Sequence, residues 1–164
     1  MLVLLLLTVS ANAAQVFTTD KQKIQLAKAY IENIKSNTDF PIQIDRVTTL
    51  RRIQLDNHSV SKYIYITKWL ELDLSGILQS SNKLKTEEEH RDLQKKLISK
   101  IEPVIIERTC KNEILVDLLS TGLRMRNFYK WIDIQQNVTS DHVFYINVDY
   151  STCVENGYIK SEKK

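Results

Sequence analysis

Three histidines and two cysteines are the residues of this chain best suited to bond-making chemistry. His58 lies in Asp56-Asn57-His58-Ser59, a run of turn-forming residues, and reads as an exposed polar side chain. His90 closes Glu87-Glu88-Glu89-His90. The Glu-x-x-His spacing puts a carboxylate and an imidazole on one helical face, as in carboxylate-bridged di-metal bundles. Those centres need two such motifs on facing helices and this chain has one, so no metal and no cofactor is expected. His142 follows Asp141, a pair that could orient an imidazole as a general base. No G-x-S-x-G, H-E-x-x-H or glycine-rich phosphate loop accompanies it, and a chain with 3 glycines has little material for one. The expectation is a protein without catalytic residues. An envelope hydrolase using His142 is the alternative.

Cys110 and Cys153 form no C-x-x-C pair and no metal-type cluster. Their meaning depends on compartment. Leu2 to Val9 is an apolar run of about eight residues, too short to cross a bilayer, and Ala11-Asn12-Ala13 is the small-x-small pattern that signal peptidase reads. Residues 1–13 are therefore expected to be a signal peptide, although no Lys or Arg precedes the run, and residues 14–164 a single periplasmic or secreted domain without membrane insertion after cleavage. Export allows the two cysteines to pair, the alternative being two buried thiols. A bridge closing a loop of about 44 residues would stabilise by roughly 4 kcal/mol.

The elements that must position these groups follow from periodicity. At 164 residues, 43% hydrophobic, 26% charged and net charge +3, the chain is one globular domain rather than a polyanion-binding tail. Thr19-Asp20-Lys21-Gln22 has capping-box spacing, and Ile24, Ala27, Ile31 and Ile34 continue as a helical stripe over about 20–35. Thr48–Leu55 and Lys62–Trp69 are β-rich runs around the 56–59 turn, hence a hairpin. Residues 70–82 carry no clear period. A second capping box at Thr86–Glu89 opens a helix through Leu93, Leu97 and Ile101, which Pro103 should kink or end near 102. A shorter helix from Asn112 carries Leu115, Leu118 and Leu119 up to Gly122, where a C-terminal cap belongs. Leu123–Ile134 and His142–Tyr150 are the last strands, and the tail from Glu155 should fray. The expected fold is α+β: a four-stranded antiparallel sheet with helices on one face, in the order α-β-β-α-α-β-β.

Alternation then defines a surface. With Ile64, Ile66, Phe144, Ile146 and Val148 facing the helices, Tyr63, Tyr65, Arg124, Arg126 and Tyr145 share the opposite face. Tyrosine and arginine are enriched in binding hot spots, so these five form the candidate binding face. The expected partner is another envelope or extracellular macromolecule, not nucleic acid, bound by a monomer or weak oligomer. A cleft-blocking inhibitor using the 134–140 loop is a further alternative. Asn57-His58-Ser59 and Asn137-Val138-Thr139 match the glycosylation acceptor pattern, which matters only in a eukaryotic host.

Pro41-Ile-Gln-Ile-Asp45-Arg-Val-Thr48-Thr-Leu50, followed by a tyrosine-bearing strand, resembles a pattern of small exported bacterial proteins of unknown function. The second half is similar too: Cys110, a short helix with paired leucines, Gly122, an aromatic strand through Tyr129, then Cys153. The resemblance covers about 40 to 153. It implies a Cys110–Cys153 disulfide and a backbone requirement for glycine at 122, and it brings no activity. That pattern often has a turn glycine in its last hairpin, where this chain has Gln135 to Ser140.

Overall fold

The computed structural model describes residues 19–56, 63–75, 86–133 and 138–160, with the backbone alone of 138–141. The expected signal peptide, residues 57–59 of the expected 56–59 turn and both glycosylation asparagines lie outside the described residues, as does most of the segment left unassigned at 70–82.

Helix α1 spans Asp20–Asn37 and opens on the expected capping box: Gln22 N donates to Thr19 Oγ1 (3.3 Å) and Thr19 N donates to Gln22 Oε1 (2.9 Å). Its Ala27 and Ile31 are buried. A short strand β1 (Ile42–Gln43) pairs with β2 (Thr48–Asp56), and β2 pairs antiparallel with β3 (Tyr65–Asp73), which is the expected hairpin. Helix α2 (Glu87–Cys110) starts on the Thr86–Glu89 capping box. Helix α3 (Glu113–Ser120) follows, capped by Asn112, whose Oδ1 accepts from Leu115 N at 3.1 Å. Gly122 leaves it with φ +90°, a conformation that glycine adopts without strain. Strands β4 (Arg124–Asp133) and β5 (Val138–Val148) pair antiparallel, and helix α4 (Tyr150–Glu155) is the last regular element among the described residues.

The antiparallel four-stranded sheet is corrected. The sheet has five strands in the order β1-β2-β3-β4-β5, and β3 and β4 at its centre run parallel, with Tyr65 opposite Arg124 and Asp73 opposite Ile132. Parallel neighbours need a long crossover, and the chain from 74 to 123, carrying α2 and α3, supplies it. The element order also gains β1 and α4. Strand β1, of 2 residues, is too short to alternate. Helix α4 replaces the expected strand end at Tyr150: Asp149 Oδ1 accepts from Thr152 N (2.9 Å), a cap strong enough to turn the chain out of β5.

Pro103 does not end α2. Both Pro103 and Ser99, whose carbonyl loses its helical donor to the proline, lie on the solvent side, so water can take the unmet acceptor. Continuation allows Ile105, Ile106 and Cys110 to reach the core. Cys110 at the end of α2 is bonded to Cys153 in α4, 43 residues away, so the disulfide clamps helix to helix.

One hydrophobic core joins the helices to one face of the sheet. Leu50, Ile53, Ile66, Leu70, Leu72, Met125, Trp131, Phe144, Ile146 and Val148 point into it, with Ala27, Ile31, Leu115 and Leu119 packed above. Among the described residues no helix is long and apolar enough to cross a membrane.

Candidate functional site

The open face of the sheet gathers all five residues expected there. The Arg124 guanidinium lies 3.4 Å from the Tyr63 ring centre, and that of Arg126 lies 3.8 Å from Tyr65 and 5.3 Å from Tyr145. The face extends further than expected: Trp69 packs on Phe128 at 4.3 Å between ring centres, with Arg52 over it at 4.5 Å. Parallel register explains this, since it sets Thr67 beside Arg126 and Trp69 beside Phe128. Much of the charge here is already engaged. Arg51 pairs with Glu71 (2.5 Å), Arg126 Nε donates to Asn147 Oδ1 (3.2 Å), and Arg124 pairs with Asp149 (3.1 Å). Burial pushes the Asp149 carboxyl up, but hydrogen bonds from Ser151, Thr152 N and Thr152 Oγ1, with Arg124 alongside, outweigh it and hold the group below its ordinary value. Tyr145 is 59% exposed, whereas Tyr65 lies buried beneath Arg126.

On the helix side a cavity of about 480 Å³ opens over the middle of the sheet. Its floor is β3 and β4, one wall is the last turns of α2 with Leu115 of α3, and the other is the Ile44–Thr48 connection. Leu70, Ile101, Val104, Ile105 and Leu115 make it apolar. Polar groups interrupt that lining from the sheet and from α2, among them Thr48, Lys68, Asn127, Tyr129 and Thr109.

Lys68 is the group that the sequence reading missed. It stands on the inward row of β3, between Ile66 and Leu70, opposite Ile53 on β2 and Asn127 on β4. Among the described residues it forms no ion pair, and burial pushes its pKa below the ordinary 10.5. The carboxylate of Asp45, at the cavity rim, accepts instead from the backbone amides of Val47 (3.0 Å) and Thr48 (2.9 Å). The Tyr129 hydroxyl is pushed up to about 12, first by burial and then by the charge of Asp45, so it remains a protonated donor. Lys100 and Arg108 add positive charge at the mouth. The arrangement is an apolar slot with an unmatched ammonium at its floor.

The histidines are outside this slot. His90 and His142 stack on each other beside Trp131, with ring centres 4.1 Å apart. The side chain of Asp141, the partner expected for His142, lies outside the described residues. The expected inhibitory loop is also shorter than 134–140, because Val138–Ser140 belongs to β5; residues 134–137 lie outside the described set.

No protein-family model and no curated protein matches the chain. Two solved structures resemble it. A protein of Pseudomonas aeruginosa described as secreted superposes with a TM-score of 0.52 at 12% identity, covering 83% of this chain and 99% of its own. The pilotin of the Vibrio vulnificus type 2 secretion system gives 0.48 at 11% identity, covering 82% and 97%. The first likeness establishes a shared fold.

Proposed function

We propose that this chain is an exported, non-enzymatic binding domain whose site is the cavity over β3, and that it takes an anionic group carried on an apolar stem. Lys68 carries the proposal. A half-buried ammonium with no acidic partner costs stability, and a bound carboxylate or phosphate would supply its counter-charge while Leu70, Ile101 and Leu115 take the stem. Asn127 and Tyr129 stand beside it as polar groups that can fix the head. The same chemistry is offered by a free single-chain amphiphile and by an apolar segment of an envelope protein bearing one acidic side chain. Export is supported by the apolar N-terminal run, by the Cys110–Cys153 disulfide, and by the fold shared with a protein described as secreted.

Amide and side-chain chemical shifts test it, with dodecanoate as one probe and an apolar peptide containing a single Asp as the other. Saturable changes centred on Lys68, Asn127 and Tyr129 are expected with at least one probe, and which probe gives them identifies the source. Changes confined to the open face, or none with either probe, overturn the reading.

A second reading rests on the open face, where Tyr63, Tyr65, Arg124, Arg126 and Tyr145 come together with Trp69 and Phe128. It would dock another envelope or extracellular macromolecule there. Arg126→Glu should then leave the fold intact and abolish capture of that partner, and unchanged capture removes the face from consideration.

A further inference from the structure

We propose that Glu87, His90 and His142 form a binding site for a divalent first-row transition metal ion, zinc being the natural probe. In sequence, the Glu-x-x-His of α2 is a half-motif. The fold completes it by laying β5 against the first turn of α2, so that His142 meets His90 ring to ring at 4.1 Å. Each of the three side chains offers one ligand atom, and these atoms all lie within 4.8 Å of one another.

Local structure holds the first two in place. Glu89 N donates to Thr86 Oγ1 (3.2 Å) and Thr86 N donates to Glu89 Oε2 (3.0 Å), which fixes the helix start. Glu87 and His90 then share a face by the three-residue spacing. His90 Nδ1 lies 3.0 Å from the Thr86 carbonyl oxygen. Donation to that oxygen sets the tautomer and leaves Nε2 with its lone pair directed elsewhere, the outer bond that ligating histidines ordinarily make. The Trp131 ring, 5.3 Å from His142 and 6.3 Å from His90, gives the pair an apolar wall.

The donor set selects the ion. Two imidazoles and one carboxylate suit zinc and its neighbours, whereas calcium and magnesium require a cage of oxygens. Metal–nitrogen bonds of about 2.0–2.1 Å bring tetrahedral donors to roughly 3.4 Å apart. The exposed Glu87 side chain and modest rotations of the two rings can close that difference. Three protein ligands leave a position for water, so the site is an open one. It shares no lining residue with the Lys68 cavity, and its fate is independent of the cavity reading.

Calorimetric titration of the disulfide-intact protein with ZnCl₂, paired with visible absorption of the Co(II) form, tests the site. One ion per chain is expected, with the intense d–d bands of a low-coordinate cobalt centre and a zinc-dependent rise in Tm. His90→Ala and His142→Ala should each weaken binding by about tenfold or more. Glu87→Gln, an exposed change that leaves folding untouched, should weaken it measurably, and His58→Ala should not. Absence of saturable zinc binding, or binding unchanged in the His90→Ala/His142→Ala double variant, overturns the proposal.

Discussion

Replacing Lys68 by methionine separates a residue kept for binding from one kept for stability. Methionine has nearly the length of the lysine stem and fills the same space between Ile53 and Asn127, so the change removes the ammonium and little else. If the ammonium is held at a cost, Lys68→Met should stabilise the empty protein by about 1 kcal/mol, the scale on which site residues are replaced at a gain. For a domain of this size that is a rise in Tm of roughly 3 °C. The pH dependence gives the sign. Burial lowers the Lys68 pKa in the folded state below 10.5, so between the two values the unfolded chain holds the proton more firmly than the folded one. Stability of the wild type therefore climbs through that window relative to the variant. The advantage of Lys68→Met should be largest at pH values below the lowered Lys68 pKa and shrink as pH rises from there towards 10.5. Affinity for an anionic probe should move oppositely. Loss of one charge-assisted hydrogen bond is worth about 1.5–3 kcal/mol, which is roughly 10- to 150-fold in Kd. Urea unfolding at several pH values, with calorimetry on the folded protein, reads both quantities. A variant that is less stable than wild type at neutral pH, or whose advantage does not change with pH, refutes the reasoning.

Three further outcomes follow from the fold. Reduction of Cys110–Cys153, or Cys153→Ser, should lower stability by roughly 4 kcal/mol, seen as an earlier urea midpoint. Asp149→Asn keeps a cap acceptor for Thr152 N but should cost about 1 kcal/mol through the lost carboxylate charge and its Arg124 pair, and the wild-type advantage should disappear as acid titrates Asp149 below its ordinary range. Gly122→Ala should cost about 1 kcal/mol, because φ +90° strains any side chain, while the new Cβ meets only the movable end of Lys23 at 3.2 Å; an unchanged Tm would contradict this.

The local elements were legible because their signals are local. Thr19 and Gln22, and Thr86 and Glu89, announced two helix starts that the structure reproduces. Alternation in Tyr63–Trp69 and Arg124–Lys130 sorted the open face correctly, and the two cysteines form the disulfide. Strand partnership was not legible. Two hairpins can meet along either edge and in either direction, and only the tertiary route of α2 and α3 places β4 parallel to β3. Helix α4 was hidden because Val148 and Tyr150 prolong the β alternation past the Asp149 cap. Lys68 was readable in principle. The inward row Ile64-Ile66 has Lys68 as its next member and Leu70 after it, and a lysine in an apolar row is the signal. The His90–His142 pair had none, because their 52-residue separation is closed only by packing α2 on β5.

The most direct measurement is the affinity of the wild-type protein for dodecanoate set against dodecanol, which has the same chain and no charge. If the cavity over β3 binds an anion on an apolar stem and its source is a free amphiphile, dodecanoate should bind saturably and by about tenfold or more the tighter. Equal binding of the two, or binding of dodecanoate that survives Lys68→Met unchanged, would contradict the assignment of Lys68 as the group that recognises the ligand.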